Sequence, residues 1–129
     1  MTRVQNPESS KKEKGYRKLI AWQKANQLAH LVYDNTQNFP KTEIFGLTSQ
    51  MRRAALSVCA NIAEGYSRNS AKNRKHFYIM AIGSLTELEF FIDFAFERGL
   101  MEKTEYDNLI NLEDETARIL NGLKKSTGF

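Results

Sequence analysis

The sequence predicts an all-α protein, folded as an antiparallel up-down four-helix bundle. Its 129 residues include only 2 prolines and 7 glycines, whereas residues that favour helix, such as Leu, Ala, Lys, Glu and Arg, are plentiful. Apolar residues recur every three or four positions along four segments, which is the spacing of an amphipathic helix. The links between the segments are short, as expected when each helix packs antiparallel to the next. The length fits one domain with one core.

The first helix is predicted over residues 16–37. Its inward face comprises Leu19, Trp22, Ala25 or Asn26, Ala29, Val32 or Tyr33, and Thr36. Proline disfavours helix at the residue before it, so Pro40 stops this helix. We expect the two aromatic residues of the following link, Phe39 and Phe45, to fold over the end of the bundle.

The second helix is predicted over residues 47–64, with Gly65 as a left-handed C-terminal stop. Its core face is rich in small side chains and comprises Leu47, Met51, Ala54, Ala55, Val58 and Ile62. A polar stripe lies beside that face and comprises Gln50, Arg53, Ser57, Asn61 and Glu64. This stripe is either a solvated face with hydrogen bonds and one ion pair tying helices together, or a polar seam where Arg53 and Glu64 find partners on another subunit.

The third helix is predicted to follow an N-cap at Ser70 and to end at Arg98, before Gly99. Its core stripe comprises Phe77, Met80, Ser84, Leu88, Phe91 and Ala95, flanked by Ala81, Leu85 and Ile92. A second apolar stripe, about 90° away on the helix, comprises Ile79, Gly83, Phe90 and Phe94. A surface helix of a monomer needs only one apolar face. The second stripe therefore indicates a binding surface.

The fourth helix is predicted to begin near an N-cap at Thr104, with Glu105 and Asp107 in its first turn and Lys124 and Lys125 suiting its C-terminus. Its core face comprises Leu109, Leu112, Thr116, Ile119 or Leu120, and Leu123. The predicted organisation is a flexible basic arm at residues 1–15, the bundle at residues 16–125 and a tail at residues 126–129.

No segment of the sequence carries a recognisable catalytic or metal-binding pattern. The single cysteine, Cys59, lies between apolar residues and is expected to be a packing residue. The di-iron signature Glu-x-x-His occurs at neither His30 nor His76, and no glycine-rich phosphate loop is present. We therefore expect neither an enzyme nor a metal or cofactor. An enzyme-like ligand pocket within the bundle is disfavoured because no convergent polar groups are visible.

The sequence also predicts a cytoplasmic protein. No apolar run approaches the roughly 20 residues that span a bilayer, so we expect no membrane partner. Residues 1–14 are polar and lead into no hydrophobic segment, unlike a signal peptide.

Charge is distributed unevenly along the chain. Residues 1–76 hold 14 Lys and Arg against 5 Asp and Glu, whereas residues 77–129 hold 5 against 10. The basic half would attract a polyanion, or it would pair with the acidic half of a neighbouring copy. A basic cluster interleaved with aromatic residues lies at the turn between helices two and three, and is either merely solvated or a phosphate-contact surface. We expect the start of helix one to lie at the opposite end of the bundle from this cluster.

Four segments resemble a known family of four-helix bundle proteins, whose members include proteins encoded in intervening sequences of bacterial 23S rRNA genes. They are LIAWQKA (19–25), FPKTEIFGLTSQMRRAALSV (39–58), NIAEGYSR (61–68) and MAIGSLTELEF (80–90). The resemblance covers residues 16–125 and leaves out the arm before Tyr16. It departs from the family at Cys59 and Ala60, where the family often has a proline followed by a small residue. We therefore expect a straighter second helix.

The resemblance implies assembly as a homo-oligomeric ring, typically a pentamer. A ring uses head-to-tail contacts between different surfaces, which suits the second apolar stripe and the oppositely charged halves. A more distant resemblance, to the accessory variability protein of retroelements, implies a basic barrel that binds nucleic acid and a reverse transcriptase. The partners implied are further copies of the chain, RNA or DNA, and a reverse transcriptase or another protein.

The leading hypothesis is a non-enzymatic homo-oligomeric scaffold that binds the phosphate backbone of RNA or DNA with little sequence specificity. Its candidate contact residues are Arg68, Lys72, Arg74, Lys75, Lys11, Lys12, Lys14, Arg17 and Lys18. The alternative is a protein–protein interaction adaptor whose basic residues serve ring assembly, with Arg52 and Arg53 paired to acidic residues of the next subunit. The candidate interface residues are Gln50, Arg52, Arg53, Asn61, Glu64, Ile79, Phe90 and Phe94.

Overall fold

A computed structural model describes residues 15–129, and within this range the chain forms four long α-helices and no strand. They are α1 (Ile20–Thr36), α2 (Ser49–Tyr66), α3 (Ala71–Glu97) and α4 (Lys103–Ser126). A short 3₁₀ turn, Gly15–Lys18, leads into α1. The prediction of an all-α fold is confirmed. The predicted arm lies outside the described residues except for Gly15.

Each helix packs against two others, α1 and α3 both contacting α2 and α4. The bundle is therefore up-down, and its two ends have different composition. We call the end where α1 and α3 begin and α2 and α4 finish the proximal end, and the other the distal end. Across the proximal end, the Lys18 amino group lies 5.8 Å from the ring centre of Tyr66. Across the distal end, the Tyr106 hydroxyl donates to Asp93 at 2.7 Å.

The core face of α3 differs from the predicted one. Buried positions of this helix are Tyr78, Ala81, Leu85, Leu88, Ile92 and Ala95. Leu88 and Ala95 agree with the predicted stripe, but Met80 is 44% exposed and Phe77, Ser84 and Phe91 are half-buried. Apolar residues surround so much of this helix that their spacing alone did not locate the centre of the core face.

The second apolar stripe of α3 faces solvent, as predicted. The predicted angle of about 90° between this stripe and the core face of the helix is wrong. Ile79 is 50%, Phe90 61% and Phe94 43% exposed. At 100° per residue the stripe centres about 180° from the buried face. The half-buried sides of the helix face α2 and α4, so within the described chain no element covers this stripe.

Helix α2 continues past Gly65, which was predicted to stop it. Gly65 is buried inside the helix, and a Cβ built on it would lie 2.7 Å from Cε1 of the Tyr78 ring. The residue is therefore required for close approach of α3, and the left-handed stop predicted there is wrong. The helix is continuous through Cys59 and Ala60.

Side chains cap the starts of α3 and α4, and a glycine follows the end of α3. Ser70 Oγ accepts from the Asn73 amide at 3.1 Å, and Gly99, with φ of +75°, follows the helix end. Both predictions for α3 are confirmed. The predicted N-cap of α4 at Thr104 is wrong, because Glu102 caps the helix in a reciprocal box with Glu105. In that box the Glu102 amide donates to Glu105 Oε1 at 2.9 Å.

The link between α1 and α2 places its two aromatic residues differently. Phe39 is 7% exposed and joins the core, as predicted. Phe45 is 96% exposed, so the prediction that it folds over the bundle end is wrong. Non-helical angles at Gly46, φ −111° and ψ −113°, break the turn Ile44–Thr48. The chain bends there, and Phe45 stays outside the core that Phe39 helps to close.

Among the described residues, no helix combines the length and the apolar character needed to cross a membrane.

Candidate functional site

The proximal end of the bundle gathers cations from three parts of the sequence. The start of α1 lies beside the end of α2 because the two helices are antiparallel, and the prediction that it lies at the opposite end is wrong. The end of α4 reaches the same place, as the hydrogen bond from the Lys75 amino group to the Phe129 carbonyl oxygen shows. We call this set the basic end; its members are Arg17, Lys18, Arg68, Lys72, Arg74, Lys75, Lys124 and Lys125.

The basic end has almost no acidic counterpart. Its segments are residues 15–18, 64–76 and 123–129, and Glu64 is the single acidic side chain in them. The distal end, residues 37–51 and 93–107, instead holds six acidic side chains against three cations, Lys41, Arg98 and Lys103. The acidic residues are Glu43, Asp93, Glu97, Glu102, Glu105 and Asp107. Charge that is uneven along the sequence thus becomes uneven along the bundle axis, over about 40 Å for the 27 residues of α3.

Aromatic rings hold the cations at the start of α1. The Arg17 guanidinium lies 4.9 Å from the ring centre of Trp22 and 5.8 Å from that of Tyr16. Tyr16 and Trp22 meet edge to face with ring centres 5.1 Å apart. The Arg17 carbonyl accepts from Gln23 Nε2 at 2.9 Å, which fixes the backbone. These cation–π contacts hold the Arg17 guanidinium, which makes no hydrogen bond or ion pair with a described residue and can therefore bind an oxyanion.

The turn between α2 and α3 arranges its own cations. The Arg68 guanidinium lies 4.6 Å from the ring centre of Phe77 and pairs with Glu64 at 2.7 Å. Arg74 Nη1 donates to the Arg68 carbonyl at 3.0 Å, which ties the turn to α3. Lys72 is exposed and makes no hydrogen bond or ion pair with any described residue. The candidate contacts Lys11, Lys12 and Lys14 lie outside the described residues.

The polar stripe of α2 is partly used within the chain. Asn61 Nδ2 donates to the Ser57 carbonyl at 2.9 Å and to Ser57 Oγ at 3.1 Å. Ser57 Oγ lies 2.7 Å from Ser84 Oγ of α3. The Ser57–Ser84 contact ties α2 to α3, as the first interpretation expects, whereas the Glu64–Arg68 pair spans a single helical turn and ties no two helices together. Gln50 and Arg53 are exposed, and neither has a polar contact within residues 15–129.

Arg52 makes a hydrogen bond and a cation–π contact within its own chain. Its Nε donates to Thr36 Oγ1 at 2.9 Å, and its guanidinium lies 4.5 Å from the ring centre of Tyr33. Thr36 in turn donates to the Val32 carbonyl at 2.8 Å. Arg52 thus joins α2 to the end of α1. It is half-buried, whereas the neighbouring candidate Arg53 is exposed.

An apolar groove of about 250 Å³ lies at the distal end between the start of α2 and the second half of α3. It is lined by Glu43, Leu47, Gln50, Phe90, Phe91 and Phe94. The groove is continuous with the exposed stripe of α3, since Phe90 and Phe94 belong to both. The interface candidates Ile79, Phe90, Phe94 and Gln50 therefore lie on one lateral surface.

One buried ionisable residue was missed from the sequence. Glu113 of α4 is 5% exposed, and it makes no hydrogen bond or ion pair within the described chain. Burial raises the pKa of its carboxyl to about 7, with further contributions from Glu89, Asp114 and Asp93. The sequence does indicate this burial, because Glu113 lies four residues after Leu109 and three before Thr116, on the core face of the helix.

The remaining side chains that could act as a nucleophile or bind a metal are Cys59, His30 and His76, and they do not form a common site. Burial raises the pKa of the Cys59 thiol to about 12, and a thiol that stays protonated is a poor nucleophile. His30 and His76 are both exposed, on different helices. In the part of the chain that the structure describes, no group of three His, Cys, Asp or Glu residues could hold a metal ion.

Residues 17–122 match the model of the family described as 23S rRNA-intervening sequence protein. The chain belongs to this family. A solved structure from the S23 ribosomal protein family of Bacteroides thetaiotaomicron VPI-5482, a protein of unknown function, is similar with a TM-score of 0.74. The two are 19% identical over 82% of this chain and 99% of the other, which shows a common fold. Comparison with curated proteins gives no match. The predicted family resemblance is confirmed.

Proposed function

We propose that this family member is a non-enzymatic homo-oligomeric scaffold that binds the phosphate backbone of RNA or DNA through its basic end, with little sequence specificity. The observation that carries the proposal is the convergence of eight cations with a single acidic side chain at the proximal end of the bundle. Cations brought together from three chain segments form one surface, on which several phosphates of one strand can be neutralised together.

The arrangement of the cations favours phosphates over base edges. Arg17 and Arg68 each lie over an aromatic ring, which holds their guanidinium groups in place. Arg68 also pairs with Glu64 through one N–H group, whereas the Arg17 guanidinium makes no hydrogen bond or ion pair with a described residue. The lysines supply flexible point charges, which suit a backbone of varied geometry. The end of a bundle presents helix ends and turns, with no helix laid out to enter a groove of duplex DNA.

Assembly would multiply this surface. The exposed stripe of α3 lies opposite the core and is uncovered by the described chain, which suits a contact with a further copy. Several basic ends displayed on one particle bind a single polyanion with an effective concentration that raises affinity without any new contact. The ring implied by the resemblance would provide such a display.

The proposal is tested by the salt dependence of oligonucleotide binding. Single-stranded RNA and DNA should bind similarly at about 50 mM salt, and affinity should fall by several orders of magnitude as salt rises to about 200 mM. The double variant Lys72→Glu, Lys75→Glu should weaken binding at least tenfold. The matched control, Lys103→Glu with Arg118→Glu, makes the same change in net charge at exposed positions of α4 outside the basic end and the groove, and it should bind as the wild type does.

Undetectable binding at low salt would refute the nucleic-acid function. An equal loss in the control pair would also count against it, since net charge and not the basic end would then set the affinity. Fluorescence anisotropy with labelled 30-nucleotide strands measures both outcomes.

The second candidate function is a protein–protein interaction adaptor. The exposed apolar stripe and the adjoining groove favour it, because a phosphate-binding surface needs no apolar side chains. In this hypothesis Arg53, which is exposed beside the stripe, pairs with an acidic residue of the next subunit. Arg53→Glu should then dissociate the oligomer into folded monomers. Light scattering measures the loss of mass, and circular dichroism shows whether the helices are retained. Intact assembly together with no affinity for nucleic acid would favour this candidate over the first.

A further inference from the structure

A single phenylalanine stands out on the surface of the distal end. Phe45, in the link between α1 and α2, is 96% exposed, and its neighbour Ile44 is 47% exposed. A phenylalanine can bury about 150–250 Å² when it is covered, so exposure of this degree forgoes a large favourable free energy. The bend at Gly46 holds the side chain away from the core of its own chain.

The groove at the same end has room for such a ring. Its volume is about 250 Å³, and an apolar protein cavity of about 150 Å³ is enough to hold benzene. Leu47, Phe90, Phe91 and Phe94 supply apolar walls. Phe45 of the same chain does not fill this space, because its side chain is almost wholly in solvent. Each copy therefore carries an unfilled groove and an unburied ring.

Charges beside the two features are complementary. Lys41 is the only cation of residues 37–48 and is exposed four residues before Phe45. On α3, Glu87 precedes Phe90 by three residues and Glu97 follows Phe94 by three. At this spacing the carboxylates lie on the same face of the helix as the phenylalanines. Glu43 also lines the groove, so its surroundings hold three carboxylates against two cations, Arg53 and Arg98. A Phe45 ring that enters the groove of another copy brings Lys41 towards these carboxylates.

We infer that Phe45 of one copy inserts into the groove of a neighbouring copy, between Leu47 and Phe90, Phe91 and Phe94, and anchors the contact between subunits. The inference rests on the homo-oligomer of the proposed function and names the side chains that would hold it together. A specific interface buries about 1,200–2,000 Å², more than one ring provides. The exposed stripe of α3, from Ile79 to Phe94, adjoins the groove and supplies further apolar area.

Sedimentation velocity on the full chain at micromolar concentrations tests the contact. Phe45→Ser should raise the dissociation constant by roughly 30-fold or more, the effect of losing a central anchor residue. The fold of the monomer should be unchanged, because a side chain that is 96% exposed contributes little to it. Phe129→Ser is the matched control, since Phe129 is 64% exposed at the proximal end, and it should leave the mass of the particle as it is.

A mixing experiment distinguishes insertion from a general loss of apolar surface. Phe45→Ser lacks the ring but keeps the groove, whereas Phe94→Asp blocks the groove but keeps the ring. Each variant alone should be monomeric. An equimolar mixture should form a one-to-one dimer and nothing larger, because only one productive contact is available between the two chains.

Three outcomes overturn the inference. If Phe45→Ser has the wild-type mass, the ring is not the anchor, although assembly itself still stands. If Phe94→Asp dissociates the particle while Phe45→Ser does not, something other than Phe45 fills the groove. If the wild type is a monomer at these concentrations, both the contact and the homo-oligomer fail. Oligonucleotide binding measured on the same samples reports separately on the basic end.

Discussion

At the scale of single residues, Glu113 is the one acidic side chain of residues 15–129 that is buried in the core. Helix α4 carries four other acidic side chains, none of which is buried. The Glu113 carboxyl is 5% exposed, and the nearby Glu89 and Asp93 add negative charge. Asp93 accepts a hydrogen bond from the Tyr106 hydroxyl, and this bond raises the pKa of Tyr106 to about 12. Glu113 has no such donor, so it is stable in the fold mainly as the neutral acid.

Stability should therefore fall as pH rises from about 4.5 to about 7. The pKa of Glu113 is about 7 in the folded chain against 4.5 as the reference value, so the folded state holds a proton that the unfolded state releases. The contribution is full below pH 4.5 and is lost as pH rises through 7, at a cost of about 3 kcal/mol at most. Urea unfolding measured at pH 5 and pH 8 gives the difference.

Glu113→Gln isolates this effect, because the amide keeps the shape of the protonated acid. The variant should be more stable than the wild type at pH 8, and its stability should vary less between pH 5 and 8. Glu97→Gln changes an exposed carboxylate of α3 and serves as the control. A Glu113→Gln protein with the same pH dependence as the wild type would show that Glu113 is ionised in the fold.

At the scale of helices, α2 and α3 approach each other closely where Gly65 lies against the ring of Tyr78. Alanine normally stabilises a helix interior by about 1 kcal/mol over glycine. At Gly65 the added Cβ would lie 2.7 Å from the Tyr78 ring, so Gly65→Ala should destabilise the fold by about 1–3 kcal/mol. Gly122→Ala in α4 meets nothing within 4 Å and should stabilise it by up to about 1 kcal/mol.

Thermal unfolding of the two alanine variants measures the contrast. If Gly65→Ala and Gly122→Ala shift the midpoint in the same direction, the close approach of the Tyr78 ring does not constrain α2. The prediction concerns the monomer, so both proteins are compared at one concentration.

The helices themselves could be predicted from the sequence, whereas their exact faces and caps could not. Strong periodicity and the cap at Ser70 located α3, but its apolar arc was too wide to reveal the core centre. Gly65 was taken for a stop because glycine has that role more often, and only the position of Tyr78 identifies the other role. Phe45 and Glu113 were misplaced or missed for the same reason. Their burial depends on the neighbouring elements and not on local pattern.

At the scale of the whole molecule, the candidate site depends on topology. The turn cluster was visible in the sequence, but Arg17 and Lys18 were placed at the wrong end. Lys124 and Lys125 were interpreted only as residues that suit the C-terminus of α4. The antiparallel packing of α1 on α2 and of α4 on α1 brings these segments together.

The last turn of α4 should therefore contribute to binding although it is distant in sequence from the α2–α3 turn. Lys124→Glu with Lys125→Glu should weaken oligonucleotide affinity about as much as the change at Lys72 and Lys75, since all four lysines share the basic end. Fluorescence anisotropy at low salt compares the two double variants. Wild-type affinity in the α4 variant would restrict the contact surface to the α2–α3 turn.

The exposed stripe of α3 runs along the side of the bundle, and this determines the shape of a ring whose symmetry axis runs parallel to the helices. The copies would lie side by side and parallel, so every basic end would be on one face of the ring and every acidic end on the other. Such a particle is a two-faced disc with a permanent electric dipole along its axis. On a negatively charged support such as mica it would land one way up, and a polyanion would approach it from one side only.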